Sequence, residues 1–393
     1  MMVKRLNLIL AIGLVLTLTW PCVRVYPVAA KPVNGASEYA DSETTCRLIG
    51  DFDHDYDIDI DDIMVVVQMW RRQEGDPDFD LRFDLHPDGI INIVDIMHVA
   101  AKWGTTRLMS FGVNMFGGDI NDAVVMSMAQ EAGICWVMHG LSWSNVEPNP
   151  PDQNGHTYNW SVYDVRFRTV YDAGMNLFIV IGSNPSWAAS TSCGPIDQTS
   201  MSNFTDFVRA AVERYDGDGV NDAPGSPQVA YWAFYNEADF DPDHSGGEPG
   251  HGGCWGNNGA AYGEMLRQAY RAVKEADPYA LVAFSPIAHD RFTYEARPPG
   301  YDSVYSREGP FSYLFTGDVL EHLHTNYGSE PDFPFFDAMN FHFYNDFRNA
   351  WDGSNPPYDQ DLLGKQKFIR DTWLQPYGLQ DLPFVVSEVG VPS

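Results

Sequence analysis

Two hydrophobic patterns divide the chain. From Met109 onward, short apolar runs alternate with longer segments whose apolar residues recur every three or four positions. The runs predict strands at 111–116, 135–138, 177–181, 229–235, 280–284, 338–343 and 384–387. The segments between them predict amphipathic helices, among them 161–173, 203–215, 260–276 and 313–327. Strands that alternate with helices pair in parallel, because the crossover between parallel neighbours is long enough to hold a helix. Seven of them predict an α/β protein of the (β/α)8 TIM-barrel type, whose chemistry sits at the C-terminal ends of the strands. The chain stops at Ser393, so the expectation is a barrel over 109–393 cut short after its seventh strand.

Upstream the pattern is a repeat. Asp62-Ile-Met-Val-Val-Val-Gln-Met-Trp70 returns 33 residues later as Asp95-Ile-Met-His-Val-Ala-Ala-Lys-Trp103. Each copy predicts a short helix, and each follows an acidic loop. The first loop offers Asp51, Asp53, Asp55, Asp57 and Asp62; the second offers Asp84, Asp88 and Asp95. Oxygens at loop positions 1, 3, 5 and 12, with Ile at position 8, are what a calcium ion needs from a twelve-residue loop. A charge run is more often a solvated face, but that reading explains neither the spacing nor the duplication. Asp216-Gly-Asp218-Gly-Val-Asn221-Asp222 is either a further calcium loop or an ordinary polar turn.

The first thirty residues change the expected compartment. Lys4 and Arg5 precede an apolar run from Leu6 to Trp20, and Val28-Ala29-Ala30 has the small residues of a cleavage site. The run is short for a membrane span, so 1–30 predicts a signal peptide, a secreted protein and no membrane attachment after cleavage. Residues 31–46 are polar and small and predict a linker. A net charge of −30, from 54 acidic against 24 basic residues, argues against nucleic acid as a partner. Export leaves Cys46, Cys135, Cys193 and Cys254. Cys135 lies in an apolar strand and is expected to be a buried thiol. Cys193 and Cys254 lie in Gly-rich loops after neighbouring strands and are expected to pair.

Candidate chemistry sits at two strand ends. The apolar run 228–235 opens into a polar loop at Asn236-Glu237, and the run 383–387 ends at Glu388. A half-desolvated carboxylate has a raised pKa, which suits a general acid near neutral pH. Two carboxylates, each at a strand's C-terminal end, are what cleavage of a glycosidic bond requires. Taken singly, each glutamate could equally be a salt-bridged strand end. Aromatic residues, 14% of the chain, mildly favour a carbohydrate ligand.

With those residues in place, the region from 110 resembles glycoside hydrolase clan A, the barrel group that includes families 5 and 39. Trp143-Ser-Asn-Val-Glu-Pro148, Asn236-Glu237, His342-Phe-Tyr344 and Ser387-Glu388-Val-Gly390 carry the resemblance. It implies a retaining β-glycoside hydrolase that needs no cofactor for catalysis. Glu237 would be the acid/base and Glu388 the nucleophile; Asn236 would bind the sugar's 2-hydroxyl. Tyr344 would hold Glu388, and His342 would either line the sugar site or be a satisfied core histidine. Trp187 and Trp255 are either sugar platforms or core. Where many family 5 relatives carry an Arg, this chain has Met138-His139. The unit 47–104 resembles a dockerin, which implies structural calcium and a cohesin-like partner. It departs from that pattern with Tyr56 at position 6, His86 at position 3 of the second loop, and Ile60-Asp61 and Ile93-Val94 at positions 10 and 11. The rival reading is a barrel that binds carbohydrate without cleaving it, carried by the calcium-dependent unit.

Overall fold

The computed structural model describes residues 8–9, 46–106, 111–115, 118–241, 254–293, 309–344 and 361–390. The expected signal peptide and linker lie outside them, apart from a two-residue strand, β1 (Leu8–Ile9), and Cys46. Seven further strands follow: β2 (Gly112–Asn114), β3 (Trp136–Ser142), β4 (Asn176–Gly182), β5 (Val229–Phe234), β6 (Leu281–Val282), β7 (Met339–Tyr344) and β8 (Phe384–Gly390). β2 to β6 pair in chain order, and every pairing is parallel. Single parallel bridges, Ala283 to Ala338 and Ile287 to Phe341, carry the order on to β7, which pairs in parallel with β8. β1 lies on the other side of β8, Leu8 opposite Phe384. The strand predicted at 280–284 is shorter than expected because the chain bends toward β7 after Val282, where Phe284 donates to the Ala338 carbonyl.

The helices are α1 (Ile60–Gln68), α2 (Ile93–Ala100), α3 (Ala123–Glu131), α4 (Trp143–Val146), α5 (Ser161–Asp172), α6 (Met201–Arg214), α7 (Gly259–Ala276), α8 (Phe315–Tyr327) and α9 (Leu362–Ile369). Their buried residues follow the helical period: α6 buries Phe204, Phe207, Val208, Ala211 and Val212 against the sheet. β5 is buried along its whole length, as a strand covered on both faces must be. Alternate strand residues turn inward. Trp136 and Met138 of β3, Phe178 of β4, Tyr231 of β5, and Val385 and Ser387 of β8 line one cavity with Gly112 and Val113 of β2, so the sheet curls until its first and last long-chain strands face each other. Gly112 is obligatory there, because a Cβ on it would stand 2.8 Å from the Trp136 Cβ.

The acidic unit has a small core of its own, Ile58, Val66, Phe83, Ile91 and Val99. Both of its helices start with a reciprocal cap, Asp59 with Asp62 and Asn92 with Asp95. It sits on the sheet's N-terminal end, opposite the two candidate glutamates. Tyr56 reaches the cavity between the strands and meets Trp136 edge-on at 6.3 Å. Arg82 bridges Asp80 and the buried Asp277 at 2.8 and 2.9 Å. The Leu81 amide donates to the Asp218 carbonyl. Cys46 is bonded to Cys135. This corrects the expectation that Cys135 is a free buried thiol: residue 46 runs beside the start of β3, its amide donating to the Gly174 carbonyl, and brings the second sulfur there.

Candidate active site

The two glutamates converge. Glu237 follows β5 and takes a left-handed φ of +49°, next to Tyr235 at +57°, so the strand leaves the sheet in a tight, strained turn. Glu388 lies in β8, and the parallel register sets it beside His342 of β7. His342 is fully buried, and its Nδ1 lies 3.1 Å from Glu237 Oε1 and 3.4 Å from Glu388 Oε2. The carboxylates themselves remain partly open to solvent. The Tyr344 hydroxyl donates to Glu388 Oε1. Burial first, and then the neighbouring Glu388, push the Tyr344 hydroxyl's pKa up, so it stays a donor. Asn236 is exposed beside Glu237. An oxygen pair sharing one ring nitrogen can hand protons to, and attack, a bond placed between them.

The aromatic candidates separate. Trp187 is half-buried, edge-on to Trp143 at 5.2 Å, with its Nε1 donating to the Glu147 carbonyl. Trp255 is only 1% exposed, packed between Tyr235 and Tyr262. The expectation of a sugar platform at Trp255 is therefore corrected: its ring faces are used up by the core. Trp143 and Glu147 of the Trp-x-x-x-Glu-Pro segment bond to each other, Nε1 to Oε2 at 2.8 Å, and His156 closes on the other oxygen at 2.6 Å. Both Trp143 and Glu147 are fully buried. Cys193 and Cys254 are bonded, joining the loops after β4 and β5. His139 points outward between Tyr163 and Phe167 of α5.

The acidic loops also differ. Asp51, Asp53 and Asp55 bring their oxygens within 4.8 Å of one another. Burial and then the repulsion of Asp62 and its loop neighbours push the Asp51 carboxyl up to about 8; burial and then Asp55 push Asp53 up to about 7. Three crowded oxygens of that kind fit a divalent cation, which would remove the repulsion. Asp62 caps the loop instead, its oxygens taking the Phe52 and Asp59 amides, and Asp57 lies outside the cluster. Asp84, Asp88 and Asp95 form no such group among the described residues. Asp84 and Asp95 accept loop amides, and His86 stacks on His98 at 6.0 Å. Asp216, Asp218 and Asp222 form a second three-carboxylate cluster.

No protein-family model matches the chain, and no curated protein does. Solved structures do resemble it. One is a family 39 glycoside hydrolase from Bacteroides cellulosilyticus WH2, at 16% identity over 72% of this chain and 49% of that one, with a TM-score of 0.45. A monomeric β-xylosidase from Caulobacter crescentus CB15 has 17% identity over 71% of this chain and 51% of its own, TM-score 0.46. The endo-β-1,4-mannanase from Thermotoga petrophila has 15% over 72% and 60%, TM-score 0.44. The chain spans about half the length of the first two. Three features escaped sequence reading: the Cys46–Cys135 bond, the buried Trp143–Glu147 pair with its His156 partner, and a buried lysine, Lys365, bonded to Asp290 behind the Glu237 loop. The last had a signal, a lone basic residue on the apolar side of α9.

Proposed function

We propose that the chain is a secreted retaining β-glycoside hydrolase on a (β/α)8-type barrel. The observation that carries this reading is the shared His342 nitrogen, which makes two strand-end carboxylates face one point. Retaining enzymes hold their carboxyl groups about 5–5.5 Å apart, against about 6.5–9.5 Å for inversion; two carboxylates on one nitrogen favour the narrow spacing. Glu388, kept in place by Tyr344 and His342, attacks the anomeric carbon, and the leaving oxygen takes its proton from Glu237. Glu237, now ionised, then deprotonates the water that releases the sugar. The acidic unit is read as a dockerin-like module whose first loop holds calcium through Asp51, Asp53 and Asp55. Its paired exposed residues, Ile60 and Ile93, Met64 and Met97, Trp70 and Trp103, offer a duplicated apolar face to a cohesin-like partner.

An activated aryl β-glycoside tests the roles. Glu388→Ala is expected to abolish turnover. Glu237→Ala is expected to form the glycosyl-enzyme and stall, and azide, which needs no base, is expected to restore turnover as a β-glycosyl azide. An α-azide, or no rescue, assigns the roles wrongly. Oligosaccharide binding by the wild type with no cleavage of any linkage supports the non-catalytic reading.

A further inference from the structure

Behind Glu237 lies a buried ionic cluster that the proposed chemistry does not use. Lys365 of α9 is fully buried, and its Nζ donates to the Ala288 carbonyl and to Asp290 Oδ2 at 3.2 Å. The His289 N–H of that same peptide goes to Asp239 Oδ2 at 2.7 Å, and the preceding N–H, of Ala288, to Asp239 Oδ1 at 3.0 Å. Asp239 is two residues past Glu237 and is itself fully buried. The Glu237 amide donates to the Pro286 carbonyl at 2.8 Å, and the Ala238 amide to Ser285 Oγ at 3.2 Å. The segment 285–290 is therefore held on one side by the Glu237 turn and on the other by Lys365. His342 also rests on it, its amide donating to Ile287.

An ammonium costs several kcal/mol to bury unless paired, and a strained non-glycine turn persists only where its surroundings over-determine it. We infer that Lys365 is the positioning residue for Glu237: through the Ala288 peptide and Asp290 it fixes segment 285–290, which locks the left-handed acid/base turn facing His342. The inference rests on the proposed function only in giving Glu237 the acid's role. Burial pulls the Lys365 ammonium's pKa down while Asp290, Asp239 and Glu237 pull it back, and the same ammonium, after burial, holds the His289 imidazole neutral. Trp373 then donates to His289 Nε2 at 3.3 Å, closing the cluster from the far side.

The test compares the wild-type chain with Lys365→Met and with Lys365→Gln, which removes the charge and keeps a polar donor on a side chain one atom shorter. Two readouts are taken. Amide deuterium exchange is expected to speed up about tenfold or more at 237–239 and 287–289 and to stay unchanged in β3 and β4. With azide present to relieve the need for a base, turnover of a β-glycoside with a poor leaving group, which needs the acid, is expected to fall about 10- to 100-fold, while an activated aryl glycoside is nearly unaffected. Unchanged exchange in a folded variant overturns the inference, and so does an equal loss on both substrates, which a merely structural lysine would give. Faster exchange at those amides in a protein that cleaves no glycoside supports the clamp and sinks the hydrolase reading instead. If Lys365→Met does not fold, Lys365→Gln decides on the same criteria.

Discussion

Met138 and His139 are adjacent in the chain and live in different solvents. The strand period of two turns Met138 into the cavity and His139 out among the helices. His139 is 2% exposed; its Nδ1 donates to the Met115 carbonyl, and its Nε2 accepts from Arg166 at 3.1 Å. That pair of partners fits only the neutral ring. Burial, with Arg166 adding to it, lowers the His139 pKa below 6.5. The unfolded chain therefore binds a proton that the folded chain refuses. The contribution to stability is complete above pH 6.5 and is lost as pH falls toward the depressed folded value. His139→Gln keeps a donor and an acceptor but cannot titrate. Its melting temperature is expected to drop less between pH 7.5 and 5 than that of the wild type; equal drops would show that His139 does not titrate differently in the two states. The sequence placed both residues at the second long strand's end, but which one faced inward needed the register.

At the level of elements, the first acidic loop shows how far a repeat can be read. Spacing revealed two loops, two caps and two helices. It could not reveal where the sixth residue points. Gly89 takes φ +78° in the second loop, and Tyr56 takes +73° at the same place in the first. A left-handed non-glycine residue costs about 1–2 kcal/mol, so Tyr56 must return more than that through its ring. It does so in the cavity against Trp136, a contact between elements 80 residues apart. Nothing in the periodicity of either segment encodes that meeting. Tyr56→Gly relieves the backbone and empties the contact. Losing a packed aromatic ring costs about 3–5 kcal/mol when it is fully buried; Tyr56 is half-buried, so a net loss of about 1–2 kcal/mol is expected in urea denaturation. A gain in stability would show that the ring does not anchor the unit. The cysteines teach the same lesson: loops after adjacent strands suggested Cys193 with Cys254, whereas Cys46 meets Cys135 only once the acidic unit is folded under the sheet.

Across the whole molecule, the parallel strand order and both glutamates were legible because strand periodicity and polar strand ends are local signals. The joint between the two units was not, because it is built from single long-range contacts. Arg82 is its centre. Its guanidinium binds Asp80 within the acidic unit, Asp277 at the end of α7, and the Asp216 carbonyl, with 12% of its side chain exposed and 1% of that of Asp277. Removing one member of a buried pair leaves the other charged and unpaired, at a cost of about 3–5 kcal/mol. Arg82→Met is thus expected to destabilise the full chain strongly. Asp277→Asn alone leaves Arg82 its Asp80 partner and is expected to cost less. In the double variant the orphaned charge on residue 277 is gone, so its loss should fall short of the sum of the single losses by about 1–3 kcal/mol, a coupling readable in a double-mutant cycle by calorimetry. Additive losses would mean that the two units are joined by packing and the Cys46–Cys135 bond alone. A coupled result, with one calorimetric transition in the wild type, would make the acidic unit the floor of the parallel sheet as well as its appendage, so that whatever the unit binds is felt as stability in the strands that lead to Glu237 and Glu388.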